Sequence, residues 1–314
     1  MTADFRIVVL CGGISSEREV SLVSGQMVRD GLEPSFPGKV TLYDLTEASV
    51  PLELDPDKDV VFPALHGTFG EDGALQALLE DLGFAYAGAG PEASQFCMDK
   101  ERVRRAATTM GIAVAEGVCL SLPPIPKPKE ILRITGDDLI TKPRAEGSSV
   151  GLHFAEGEAE LAALLPQLPP GDWLFERRLR GRELSVGVLD GQGMGVVEII
   201  PNGGVYDYAH KYTAGLTQYQ FPADIPNAME STLRDFSGKV FSLTGCRDFA
   251  RVDYILEEDQ IPRLLEINTI PGLTPTSLLP KSANCVGLDY LGLVRRMVLP
   301  ALQRFHVRTP IPVL

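Results

Sequence analysis

The chain is poor in the features that mark several large functional classes. No apolar run approaches the roughly 18 residues that a membrane-spanning helix requires, so no membrane partner is expected. Positive charge is scarce: 29 Lys and Arg face 42 Asp and Glu, a net charge of −13. That balance argues against nucleic acid or an anionic membrane as the main partner. Any anionic ligand must then be met by local lysines, arginines, helix N-termini or metal ions. The five cysteines (Cys11, Cys97, Cys119, Cys246, Cys285) show no CxxC spacing and no neighbouring histidines. They read as free thiols in a reducing cytoplasm. RIVVL near the N-terminus is too short, and lacks the cleavage pattern, for a signal peptide. There is no GxxxxGK[ST], so the P-loop route to a nucleotide is closed, and no internal repeat or low-complexity segment stands out.

What remains is an ordinary globular composition, 44% apolar and 23% charged over 314 residues, enough for two or three domains. RIVVL (6–10) reads as a buried strand, followed by the turn CGGISS and a helix in which Ser16 and Glu19 form a capping box. DVVFPAL (59–65) is a second strand running into HGTFGEDG, a helix and the short strand FAYAG (84–88). Strand, glycine turn and helix in repetition predict an α/β unit with a parallel sheet over the first 90 or so residues. MDKERVRRAATTMG (98–111) reads as a helix, SLPPIPKPKE (121–130) as a surface connection, and DDLITKP (137–143) and LHFA (152–155) as strands around the loop RAEGSSVG. WLFERRLRGRELSVGVLDG holds two strands. A tyrosine-rich loop (205–219) follows, then a helix over about 228–244. Two strands, FARVDYIL and IPRLLEINT, precede the loop IPGLTPTS and a C-terminal helix. Cys11 reads as a small buried residue after its strand. GAGPEA (88–93) matches GxGxxA but lacks the βαβ context of a dinucleotide site, and GQGMG (191–195) reads as a hairpin turn.

The last two strands can be set in register. EEDQ makes the turn between them, so partners sum to about 519, which places Asp253 opposite Glu266 and Arg251 opposite Asn268. Residues two apart on a strand share a face, so all four side chains converge. Two carboxylates and an amide at that density repel unless cations intervene. Oxygen donors without His or Cys favour Mg²⁺ or Mn²⁺ held together with substrate phosphates. The competing reading is an exposed sheet face with a surface Asp–Arg pair. For the phosphates, KPRAEGSSVG (142–151) supplies Lys142 at a strand end and a small, flexible loop of backbone N–H groups. Lys100 offers a second cation.

GGISSEREVS, ALHGTFGEDG, MDK, KPRAEGSSVG, YDYAHKY, ARVD and EINTIPGLTPTS, in this order, resemble the D-alanine–D-alanine ligases of the ATP-grasp superfamily. The resemblance runs from about residue 5 to 300. It implies a three-domain ATP-grasp fold: a substrate-binding α/β domain over 1–94 with a Rossmann-like parallel sheet, a central ATP-grasp domain over 95–180, and a C-terminal ATP-grasp domain over 181–314. It implies that Asp253, Glu266 and Asn268 bind two Mg²⁺ (or Mn²⁺), and that Lys100, Lys142 and Lys211 contact the ATP phosphates. Glu176 to Leu179 would line the adenine, with Arg178 standing where an aromatic or another residue type is expected, and Glu183 would hold the ribose. Glu17 would take the ammonium of the first D-alanine, linked by hydrogen bonds to Ser148 and Tyr212, with His66 nearby. Arg251 and the Gly272 N–H would form an oxyanion hole, and Ser277 and Leu278 would bind the carboxylate of the second D-alanine.

The implied reaction is ATP-dependent ligation of two D-alanines through an acyl phosphate, for peptidoglycan precursors, in a cytoplasmic homodimer. Loop 205–219, with Tyr212, would be the lid that keeps water from the intermediate. The rival readings are a relative forming D-Ala-D-Lac or D-Ala-D-Ser, and a nucleotide-binding regulator that has lost turnover.

Overall fold

The computed structural model describes residues 5–147, 150–201 and 217–308. Three sheets organise them. The first has order β2-β1-β3-β4, built from β1 (Arg6–Gly12), β2 (Val40–Leu45), β3 (Asp59–Pro63) and β4 (Ala85–Tyr86), all parallel. β1 is buried from Ile7 to Gly12 and β3 throughout, as expected of parallel strands covered on both faces. One cover is α1 (Arg18–Leu32). Another is the C-terminal helix Tyr290–Arg308, whose Leu293, Val294, Met297, Val298, Ala301, Leu302 and Phe305 enter the same core as Ile7, Val9, Val60 and Phe62. The chain's last helix therefore closes its first sheet. Arg304 secures the return, donating to Asp248 Oδ2 at 2.5 Å and to the Tyr86 carbonyl at 2.7 Å, while Asp248 also accepts from the Gly88 N–H.

The second sheet, order β5-β8-β6-β7, is antiparallel: β5 (Gly117–Leu122), β6 (Asp138–Pro143), β7 (His153–Glu156) and β8 (Gly171–Arg177). The third, order β11-β10-β9-β12-β13, joins β9 (Arg182–Leu189), β10 (Gln192–Pro201), β11 (Thr217–Gln220), β12 (Phe249–Leu256) and β13 (Pro262–Asn268). Helix Asn227–Leu243 packs on one face of this sheet, with Leu233, Val240 and Phe241 in the core beside Val186, Val188 and Val196. Helix Leu278–Asn284 packs on the other face, over Gly187 and Gly195. A Cβ at Gly195 would lie 2.1 Å from Cys285 Cβ, and one at Gly187 would lie 2.7 Å from Leu279 Cδ1. Ser282 then pins the helix, accepting from the Gly187 N–H at 2.8 Å and donating to the Gly195 carbonyl at 2.5 Å.

Several elements differ from the sequence expectations. There is no capping box at Ser16: α1 begins at Arg18 with Glu17 as N-cap, and no side chain caps it. The turn is organised instead by Ser15, whose Oγ accepts from the Glu17 N–H and donates to the His66 carbonyl. The 98–111 helix starts at Lys100, capped by Asp99, which accepts from the Arg102 N–H. Pro91–Met98 forms a separate helix before it. The proline-rich 121–130 stretch is not simply a surface connection, since β5 runs to Leu122 and a helix starts at Pro128. Cys11 lies inside β1 rather than after it, and all five cysteines are free thiols. GQGMG does open a hairpin strand, with the turn at Asp190–Gly191 between β9 and β10. Of the loop 205–219, only Thr217–Tyr219 falls within the described residues.

Gly195→Ala is predicted to cost about 1–3 kcal/mol by overpacking the helix–sheet contact. A denaturant midpoint unchanged from wild type would contradict this packing.

Candidate active site

The site begins with strand pairing. β12 pairs with β13 so that Arg251 lies opposite Asn268 and Asp253 opposite Glu266, the register expected from the turn. Nearer the turn the partners change, with Tyr254 opposite Leu264 and Leu256 opposite Pro262, so an irregularity inserts Leu265 as an extra residue. Such a bulge bends its strand and re-aims side chains, and Leu265 lines the cavity beside the site. On its other edge β12 pairs with β9, setting Asp253 opposite Ser185 and Arg251 opposite Gly187. Ser185 Oγ donates to Asp253 Oδ1 at 2.7 Å. Arg251 also holds this carboxylate, through Nε at 3.0 Å and Nη2 at 2.8 Å.

A cavity of about 490 Å³ lies between the second and third sheets, within the usual range for ligand sites. Lys100, Lys142, Glu176, Arg178, Leu179, Glu183, Arg251, Asp253 and Glu266 all line it. Its walls are apolar where Ile140, Phe154 and Ile255 contribute and charged where the two sheets meet. Lys142 Nζ lies 2.7 Å from Glu176 Oε2, and Arg104 Nε lies 2.8 Å from the other oxygen of the same buried carboxylate. Lys100, also buried, donates to the Glu146 carbonyl and lies 3.9 Å from Glu266 Oε2. The guanidinium of Arg178 stacks 4.5 Å over the Phe154 ring, so an aromatic surface adjoins the 176–179 stretch although residue 178 is not itself aromatic.

A smaller adjoining cleft brings Asn268 together with Glu266, Lys100, Gly147 and Glu71. Asn268 Oδ1 accepts from the Ile270 N–H at 3.1 Å. The Ile270 carbonyl in turn lies 3.1 Å from His66 Nδ1, and His66 Nε2 lies 3.0 Å from Ser24 Oγ. His66 thereby ties the first sheet to the loop after β13. Glu17 is buried in the same region, and the Glu17 carboxylate lies against Gly67. Gly272 packs against Ser277, where a Cβ would lie 2.9 Å from Ser277 Oγ. Ser277 N-caps the helix Leu278–Asn284, and its Oγ lies 2.7 Å from Thr274 Oγ1. Leu278 is buried against Val197, Ile199 and Tyr219. Ser148, Lys211 and Tyr212 lie outside the described residues.

Sequence reasoning passed over Glu71, Arg104 and Lys281. Glu71 stands inside the glycine-rich stretch HGTFGEDG, which was its only signal. It is buried, 3.5 Å from His66 Nδ1. Burial pushes its carboxyl above the usual range and Glu17 adds to the rise, while His66 and Arg251 oppose it. A raised native value makes ionisation cost stability as pH climbs past the ordinary carboxylate range. Glu71→Gln is therefore predicted to gain on wild type in denaturant midpoint between pH 5 and pH 8. A difference that does not change with pH would contradict the assignment.

Among the described residues, no group of three or more His, Cys, Asp or Glu side chains could by itself hold a metal ion. The donor set at the hairpin is two carboxylates and one amide oxygen. It is uniformly hard, and too small for a closed protein cage.

Known proteins resemble the chain throughout its length. The family model described as "D-ala D-ala ligase C-terminus" matches residues 108–299, and that described as "D-ala D-ala ligase N-terminus" matches 44–89. A D-alanine–D-alanine ligase of Syntrophotalea carbinolica is 38% identical over 314 residues, covering 95% of this chain and 97% of its relative. One from Anaeromyxobacter sp. (strain Fw109-5) is 41% identical, covering 93% and 96%. Among solved structures, the Bacillus anthracis D-alanine–D-alanine ligase complexed with ATP superposes with a TM-score of 0.84 at 28% identity, covering 98% of this chain and 99% of that one. The VanG D-Ala:D-Ser ligase of Enterococcus faecalis reaches 0.81 at 25% identity. With its three-sheet ATP-grasp architecture, the chain belongs to the D-alanine–D-alanine ligase family.

Proposed function

We propose that this protein joins two D-alanine molecules into D-alanyl-D-alanine, with ATP converted to ADP and phosphate. The observation that carries this reading is the convergence of Arg251, Asp253, Glu266, Lys100 and Lys142 on one cavity in a chain closely similar to ligases of that name. Arg178, Leu179 and Phe154 form the apolar end that receives the base, with Glu183 on the ribose. Lys100 and Lys142, now held by the Glu146 carbonyl and by Glu176, are placed for the phosphates, with Lys211 as a third cation.

The oxygen donors of Asp253, Glu266 and Asn268 fit Mg²⁺ or Mn²⁺, with the nucleotide completing the coordination. Such an ion, when bound, neutralises charge on the phosphates. The chain's own groups do the rest. Glu17 orients the ammonium of the first D-alanine with His66 nearby, a role that the family resemblance extends to Ser148 and Tyr212, which lie outside the described residues. The carboxylate of that substrate takes the γ-phosphoryl group as an acyl phosphate. The amine of the second D-alanine, whose own carboxylate rests on Ser277 and the Leu278 N–H, then attacks the acyl carbon. Arg251 and the Gly272 N–H stabilise the oxyanion, and phosphate leaves. Pre-aimed donors of this kind supply most of the barrier reduction in such reactions.

The three units 1–94, 95–180 and 181–314 divide this work as substrate, nucleotide and catalytic segments, although helix Tyr290–Arg308 packs back on the first. A cytoplasmic homodimer supplying peptidoglycan precursors, and so cell-wall biogenesis and cell shape, is the setting we propose.

ADP release is predicted to require D-alanine and Mg²⁺ or Mn²⁺ together, with L-alanine inert and D-alanyl-D-alanine as product. Release independent of D-alanine, or a mixed product when D-serine or D-lactate competes at equal concentration, would contradict the reading. Arg251→Ala is predicted to lower kcat by ~10²–10³ while ATP binding stays within a few-fold, as read by equilibrium titration. Near-normal turnover would remove Arg251 from the oxyanion hole.

A further inference from the structure

Lys281 lies on the helix Leu278–Asn284 and is 7% exposed. Its Nζ stands 4.5 Å over the ring of Tyr219 and 5.8 Å over that of Phe221. Among the described residues it makes no ion pair, and no charged side chain acts on it; burial alone pushes the ammonium down to about 8. The titratable side chain facing it is Tyr219 of β11; the thiol of Cys285, which caps the helix, donates at 3.3 Å to the Lys281 backbone carbonyl and not to its side chain. Lysines are rarely buried this far without a carboxylate. Ring faces repay only part of the cost of desolvating an ammonium.

Its position gives that charge a use. Tyr219 stands opposite Ile199, which stands opposite Glu183, and Ile199 and Glu183 both line the large cavity. Tyr219 therefore belongs to the sheet face that carries Ser185, Arg251 and Asp253. Leu278 packs on Tyr219 from the same helix. Lys281 is one turn beyond Ser277, and helical side chains lean toward the N-terminal end, so its stem runs back toward Ser277 and Leu278. The helix cannot shift to relieve the lysine, because Ser282 is bonded to β9 and β10 on the adjacent side.

We propose that Lys281 is a further substrate-binding residue, whose buried ammonium pairs with the carboxylate of the second, amine-donating amino acid. The inference rests on the ligase reading and deepens it. Ser277 and the Leu278 N–H fix that carboxylate by hydrogen bonds, and Lys281 supplies the full positive charge that neither of them has. An acceptor lacking the carboxylate then leaves the ammonium unpaired, which makes Lys281 a determinant of specificity for a free amino acid over its amide or ester.

The test compares wild type, Lys281→Met and Lys281→Arg in steady-state kinetics with ATP and D-alanine. Methionine keeps the buried length and removes the charge, so the fold is retained. The expected result is a rise of roughly tenfold or more in KM for the second D-alanine in Lys281→Met, with KM for ATP unchanged and a melting temperature no lower than that of wild type, and recovery in Lys281→Arg. Only the protonated amine pairs with a carboxylate. The second-site KM of wild type should therefore rise relative to that of Lys281→Arg as pH climbs through about 8, the substrate's own titration cancelling in the ratio. An unchanged second-site KM in Lys281→Met, or a rise in KM for ATP together with a lower melting temperature, overturns the proposal and leaves a packing role. If wild type releases ADP with a different amino acid acceptor, the D-alanine reading falls, and the same variants compared with that acceptor still decide the role of Lys281.

Discussion

The pairing of β12 with β13 on one edge and β9 on the other is the constraint from which the candidate site follows. Side chains on a strand alternate with period two, so a one-residue slip sends every one of them to the opposite face. In the observed register Arg251, Asp253, Glu266 and Asn268 stand together, and Ser185 reaches Asp253 from the neighbouring strand. No single residue here is unusual. The chemistry lies in four polar side chains brought to one sheet face, where the opposite face is filled by Val252, Tyr254, Leu264 and Ile267.

Around that face the protein stores positive charge in a strongly acidic chain. Four of the cations are held by protein acceptors: Lys142 and Arg104 by Glu176, Lys100 by the Glu146 carbonyl, and Arg251 by Asp253. Buried charges need such partners, and removing one partner costs far more than the pair contributes. The stems of Lys100 and Lys142 are thereby fixed where they line the cavity. Glu71 and Glu17 are both buried near the first sheet, with His66 3.5 Å from Glu71.

Much of this was legible in the sequence because the deciding signals are local. The turn EEDQ points to the Asp253–Glu266 and Arg251–Asn268 pairs. They hold at the site because the extra Leu265 offsets partners that are shifted by one nearer the turn. β-branched runs such as IVVL and VVF announce parallel strands. Lys142 stands out at a strand end and Lys100 as a second cation, whereas Glu176 to Leu179 and Glu183 come from the resemblance alone; all of them line the same cavity. What escaped depends on tertiary contact. Leu265 is extra in β13 only because the turn and the site require different registers. Ser16 and Glu19 have the spacing of a capping box, yet Ser15 takes over the turn because the His66 carbonyl is in reach. β2 was missed because its half-exposed residues carry a weak pattern, and the closure of the first sheet by the last helix has no local signature. Lys281 looks like any helix lysine until Tyr219 and Phe221 are seen to cover it.

The measurement that bears most directly on this account is Mn²⁺ uptake, followed by electron paramagnetic resonance in the presence of ATP, for wild type and for Glu266→Gln. Convergence of three oxygen donors beneath the nucleotide predicts tight, nucleotide-dependent uptake by wild type and a large loss in Glu266→Gln. Equal uptake by the two proteins, or uptake indifferent to nucleotide, would contradict it.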